Sequence, residues 1–98
     1  MNFSLSSASQ NILQLMRSLG YSPQDKKDSY VRRLSRSPYP HFHIYAQPSR
    51  RGVSISLHLD QKGACYRGQT AHSGEYEGQL VLEEKQRILK TLDLDNII

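Results

Sequence analysis

From His41 to Asp60 the chain alternates apolar and polar residues twice, with turn residues between the two runs. Val53, Ile55, Leu57 and Leu59 alternate with Ser54, Ser56, His58 and Asp60, and before the turn Phe42, Ile44 and Ala46 alternate with His41, His43 and Tyr45. A period of two sends successive side chains to opposite faces, so each run is a half-buried strand. Pro48, Ser49, Arg50, Arg51 and Gly52 supply the turn chemistry between them. The pattern predicts a β-hairpin with one apolar face and one face bearing histidines. Whatever else the chain builds must cover the apolar face.

The pairing follows from the same pattern. A slip of one residue would send one apolar face into water, so the two apolar faces must coincide. A four-residue loop closed by Gln47 and Gly52 sets Phe42 opposite Leu57, Ile44 opposite Ile55, Ala46 opposite Val53 and His41 opposite His58. Directly opposed Cβ atoms lie roughly 5 Å apart and diagonal ones roughly 7–8 Å, which puts His41, His43 and His58 within reach of one ligand. A shift of two residues keeps all three on that face and is expected to loosen the cluster. Gly52 in a bulge is another way to close the turn.

The flanks read as the cover. Ile12, Leu15, Met16 and Leu19 share one helical stripe, extended backwards by Leu5 and Ala8, with Ser6 or Ser7 as cap and Gly20 and Pro23 as the stop. This predicts an N-terminal helix over 9–19. Residues 29–35 read as a short edge strand, its edge guarded by Arg32, Arg33 and Arg36. Ser37-Pro38-Tyr39-Pro40 turns the chain into the hairpin, and 64–67 offers one further short strand. Residues 68–78 (GQTAHSGEYEG) form a glycine-rich loop without periodicity. A C-terminal helix is predicted over 79–92, with Val81, Ile88 and Leu92 on its apolar stripe, Glu83, Glu84, Gln86 and Arg87 on the other face, and 93–98 as a tail. The expected fold is α+β: an N-terminal helix, an antiparallel sheet of three to four strands centred on the 41–60 hairpin, and a C-terminal helix, all in one domain, 1–98.

Composition narrows the function classes. No apolar run approaches the roughly 18 residues that span a membrane, and residues near Phe3 and Leu5 lack a basic or sustained apolar leader, so no signal peptide is expected. Cys65 is the one cysteine, which fits a reducing, cytoplasmic setting and a partly buried side chain. Residues 1–51 carry eight Lys/Arg against two acids (+6), whereas 52–98 carry five against seven (−2). That split suggests an anionic partner, nucleic acid or an acidic protein, for the first half, or a homodimer that sets a basic face against an acidic one. Arg32, Arg33, Arg50 and Arg51 are the candidate anion-binding residues, since guanidinium matches phosphate bidentately; a solvated edge and loop tip are the plainer account of them.

The histidines carry the sharper chemistry. His41, His43 and His58, completed by His72 or Glu75 from the long loop and with Asp60 nearby, make a candidate site for a divalent metal, zinc first. Three histidines and a water would point to metal-assisted hydrolysis with Glu75 as the base. Without a metal, His41 and His58 flanking a phosphodiester would suit acid–base chemistry. The plainer alternative is a polar sheet face on which the histidines hydrogen-bond to Ser56, Asp60 and Tyr45.

Two phrases carry a resemblance. LHLDQK (Leu57–Lys62) and AHSGEYEG (Ala71–Gly78), followed by an acidic helix such as Val81–Ile88, make residues 39–90 resemble a group of short uncharacterised bacterial proteins that share these phrases in the same order. PHFH (Pro40–His43) resembles a phrase of small proteins linked to toxin–antitoxin loci, with Tyr39-Pro40 standing where those have a double proline. The first resemblance implies a family and no activity. The functional expectation is therefore a divalent-metal-binding protein or metal-dependent hydrolase, with a non-enzymatic binding module as the alternative.

Overall fold

The computed structural model describes residues 1–6, 11–50, 52–61, 74–75 and 78–97, with 74–75 and 93–97 described by their backbone. The hairpin is its centre. Strands β4 (His41–Ser49) and β5 (Gly52–Asp60) pair antiparallel along their whole length. Their register differs from the expected one by two residues. Ser49 pairs with Gly52, so the turn has two residues rather than four, and Ile44 faces Leu57, Phe42 faces Leu59 and Ala46 faces Ile55. Gly52, at φ 146, makes the tighter closure possible with a backbone that L side chains rarely adopt. The shift by two preserves the faces, so the core is as expected while every polar pair changes partner.

The remaining strands extend the hairpin on both sides. β1 (Asn2–Leu5) pairs with β5, setting Phe3 opposite Ile55 and Leu5 opposite Val53. β3 (Ser29–Arg33) pairs with β4, and β2 (Ser22–Pro23) covers β3 only at Tyr30 and Val31. The sheet order is β1-β5-β4-β3-β2, and a two-residue β6 (Gly74–Glu75) adds to β5 beyond β1. The Tyr39–Pro40 peptide before β4 is cis.

The α+β class holds, with two corrections. The sheet has five strands in its main order and a sixth short one, against the three to four expected. The chain also opens with a strand, not a helix: α1 (Ile12–Ser18) follows β1 and is capped by Asn11, whose side chain accepts from the Gln14 amide at 2.8 Å. Leu5 is thus a strand residue rather than an extension of the helical stripe. Phe3 and Leu5 have the spacing of a half-buried strand, and burial against Ile55 and Val53 decides between the two. The second helix, α2 (Gln79–Ile97), runs through the segment expected as a tail.

Both helices pack on one face of the sheet. Leu15 and Met16 of α1 and Val81 and Ile88 of α2 are buried with Ile44, Ile55, Leu57 and Leu59 in one core cluster. Glu84 enters that layer too. It is 2% exposed and accepts from the Tyr21 hydroxyl (2.6 Å), from Arg32 Nε and Nη2 (3.0 and 2.9 Å) and from Arg87 Nε and Nη2 (2.7 and 3.0 Å). Arg87 Nη2 also donates to the Leu19 carbonyl at 2.7 Å, tying α2 to the end of α1. Gly20, at φ 92, lets the chain turn beneath this network; a Cβ there would stand 3.2 Å from Arg32 Cδ. Among the described residues, no helix is long and apolar enough to cross a membrane.

Candidate metal centre

The face of the sheet away from the helices holds the histidines. The two-residue turn sets His43 directly opposite His58 and His41 opposite Asp60. Sequence reasoning expected a shift by two to loosen the cluster, yet it tightens it, because Asp60 joins it. His43 Nδ1 and His58 Nε2 are 3.1 Å apart. The Asp60 carboxylate reaches three rings: Oδ1 lies 2.9 Å from His58 Nε2, and Oδ2 lies 3.5 Å from His43 Nδ1 and 3.0 Å from His41 Nε2. One donor atom from each of His43, His58 and Asp60 lies within 4.8 Å of the others, close enough to hold a single metal ion.

The surroundings fix these rings. Ser29, buried on β3, hydrogen-bonds His43 Nε2 through its Oγ at 2.6 Å. That bond leaves Nδ1 as the free lone pair when Nε2 carries the proton, the arrangement by which a second partner sets the tautomer of a metal-binding histidine. His41 Nδ1 donates to the Pro38 carbonyl at 2.8 Å. With its proton there, His41 turns a lone pair on Nε2 towards a carboxylate oxygen, a contact that a second proton or a cation between them makes favourable. Tyr39 lies against His41, ring centroids 4.8 Å apart, and Tyr45 against His43 at 4.4 Å.

Burial pushes the His43 imidazole below its ordinary pKa, and the adjacent His58 adds to the effect. Burial lowers His58 as well, and the Asp60 charge opposes this without reversing it. Both rings are thereby kept in the neutral form that binds metals.

Acid should therefore weaken the metal-free protein. Unfolded histidines take up protons as the pH falls through about 6.5. The folded pair, with lowered pKa values, takes them up later. Stability declines through that window and stops declining once the folded pair also protonates. Urea midpoints in EDTA, compared between about pH 7.5 and 5.5, should fall in the wild type and fall less in His58→Leu. Equal slopes in the two proteins would count against a neutral buried pair.

A cleft of about 440 Å³ opens beside the centre. His41, His43 and Asp60 form part of its lining, while His58 lies beneath, 7% exposed. Lys26, Arg33, Tyr39 and Tyr45 complete the rim that matters chemically. No family model, curated protein or solved structure matches this chain.

The other expected site residues fare differently. His72 lies outside the described residues, as do Arg51 and Cys65. Glu75 is described by its backbone, which pairs with the core-face residue Leu59, whereas Gly74 pairs with Asp60. Arg32 is not a free anion-binding residue, because its guanidinium is spent on Glu84. Arg50 is exposed in the turn, at the opposite end of the hairpin from His41, and Arg33 alone of the described arginines lines the cleft. Sequence reasoning treated Asp60 as a bystander and did not single out Lys26. The alternation did place Asp60 on the histidine face; only the register hid that it stands opposite His41.

Proposed function

We propose that this protein binds one divalent cation, zinc foremost, through His43 Nδ1, His58 Nε2 and the Asp60 carboxylate. The observation that carries the reading is the spacing of the donors. Tetrahedral zinc with bonds of about 2.0–2.1 Å requires donor atoms about 3.3 Å apart. Here His43 Nδ1 lies 3.1 Å from His58 Nε2, and His58 Nε2 lies 2.9 Å from Asp60 Oδ1, with the other carboxylate oxygen, Oδ2, 3.5 Å from His43 Nδ1; one donor atom from each residue lies within 4.8 Å of the others. Ser29 orients His43, and His41 holds the second carboxylate oxygen, so both act as outer partners of the centre.

A site of three protein ligands keeps a fourth position for water or a ligand, whereas a closed set of four makes a structural site. The cleft supports the open version. Hydrolysis by a cation-activated water is the reaction class such a site serves. Glu75, the base expected from the sequence, is described by its backbone alone, which pairs with Leu59. The alternative of a binding module for nucleic acid or an acidic protein draws less support, with Arg32 engaged by Glu84 and Arg50 distant from Arg33 along the hairpin.

Protein purified without a histidine tag should take up one equivalent of zinc at neutral pH by calorimetric titration. His58→Ala and Asp60→Ala should abolish measurable uptake, and Ser29→Ala should weaken it by about tenfold. Absence of stoichiometric uptake by the wild type removes the proposal.

A further inference from the structure

The cleft beside the centre is lined by two cationic side chains, Lys26 and Arg33, by the carboxylates of Asp25 and Asp60, and by two tyrosine rings. Arg33 stands across from His41 in the β3–β4 register. Lys26 lies in the segment between β2 and β3 and lines the same cleft. Both are exposed, and among the described residues neither has a carboxylate within 4.0 Å, in contrast to Arg32 and Arg87, which share Glu84. Asp25 is the acidic residue on this rim, and Asp60 is already occupied by the three histidines. Tyr39 is 42% and Tyr45 37% exposed, and they line the cleft from positions against His41 and His43. Its volume of about 440 Å³ lies within the roughly 300–1,000 Å³ of pockets that take small organic ligands.

We propose that this cleft binds an aromatic phosphate ester, with the phosphate between Arg33, Lys26 and the cation and the ring against Tyr39 and Tyr45. The inference rests on the metal reading for the cation and on the cleft for the rest. A phosphate is the anion that these parts fit best. Its three terminal oxygens offer a guanidinium, an ammonium and a divalent ion one acceptor atom each, where a carboxylate must share two oxygens among them. A cation held by two neutral histidines and one carboxylate keeps a net positive charge of one, which favours an anion at its fourth position. The tyrosine rings supply flat apolar surface for an aromatic group, and among the described residues they are the exposed rings that line the cleft.

Phenyl phosphate is the probe, titrated calorimetrically into zinc-loaded and metal-free protein, with phenol and inorganic phosphate as the two halves. Zinc-loaded wild type should bind phenyl phosphate more tightly than either half. Arg33→Ala and Lys26→Ala should each weaken it at least fivefold while leaving zinc uptake unchanged, and Arg50→Ala should leave both unchanged. Tyr39→Ala should lower the affinity for phenyl phosphate and not for inorganic phosphate. If zinc binds and phenyl phosphate does not, or if Arg33→Ala and Lys26→Ala bind it as the wild type does, this inference falls and the metal reading stands. If zinc does not bind but phenyl phosphate binds through Arg33 and Lys26, the metal reading falls and the anion cleft stands without its cation. Equal binding by Arg50→Ala, Arg33→Ala and the wild type with zinc loaded would mean attraction by overall charge and overturns the cleft.

Discussion

Glu84→Gln is expected to cost about 3 kcal/mol of folding stability, which for a chain of this size lowers the melting temperature by roughly 12–24 °C. The carboxylate accepts from one hydroxyl and two guanidinium groups while being 2% exposed. Removing its charge leaves the Arg32 and Arg87 guanidinium groups with only a neutral amide between them, one of whose two polar atoms is a donor. The arginines are 27% and 37% exposed and recover some hydration, which keeps the cost at the lower end of that for a broken buried pair. Burial alone would push the Glu84 carboxyl up, but hydrogen bonds from Arg87, Arg32 and Tyr21 outweigh it and hold the group below its ordinary value. Its stabilising contribution is thus complete above about pH 4.5 and is lost as the pH falls through the lowered folded value. Wild type and Glu84→Gln should therefore converge in stability in strong acid. Tyr21→Phe, which gives up one bond, should cost about 1–2 kcal/mol. Denaturant midpoints across this pH range measure all three. A Glu84→Gln protein within 1 kcal/mol of the wild type would show that the network does not hold α2 in place.

The second large effect belongs to the core under the hairpin. Leu57→Ala should cost roughly 2–5 kcal/mol, the range for deleting a fully buried leucine. Leu57 and Ile44 are each 0% exposed and directly opposed. Their neighbours come from both helices and cannot collapse into the gap without moving the sheet. A double-mutant cycle adds a test of register. Coupling should be larger between Ile44→Val and Leu57→Ala than between Ile44→Val and Ile55→Ala, because the two-residue turn makes the first pair direct and the second diagonal. The reverse order would restore the pairing expected from a four-residue loop and would move His43 away from His58.

The alternation of 41–60 made the hairpin and its two faces readable, because burial on one side imposes a period of two. Register was not readable. Arg50-Arg51 has none of the Asn-Gly or Asp-Gly chemistry that announces a two-residue turn, and both pairings bury the same residues. The error left the core unchanged and rearranged the site, since the polar face has no comparable pattern to select its partners. The first strand was hidden for a different reason. Four residues carry too little pattern to compete with a helical stripe that begins close behind them. Glu84 was misread because its neighbours Glu83 and Lys85 make the segment look solvated. A signal was there: Val81, Glu84 and Ile88 fall at i, i+3 and i+7, so the carboxylate sits on the apolar stripe. Arg32 likewise alternates with Val31 and Arg33 onto the core side, beneath which only a counter-charge would be stable.

The pairing of β1 with β5 has a kinetic side. The β4–β5 hairpin closes through two residues and can form in microseconds, but Phe3 must find Ile55 across more than half the chain. Loop-closure entropy places that step late. Until it happens, β5 presents backbone donors and acceptors beside Val53 and Ile55, a template on which another copy can add a strand. Refolding yield should thus fall with protein concentration far more steeply than native stability does, and the vulnerable species is the one whose histidine face is already assembled.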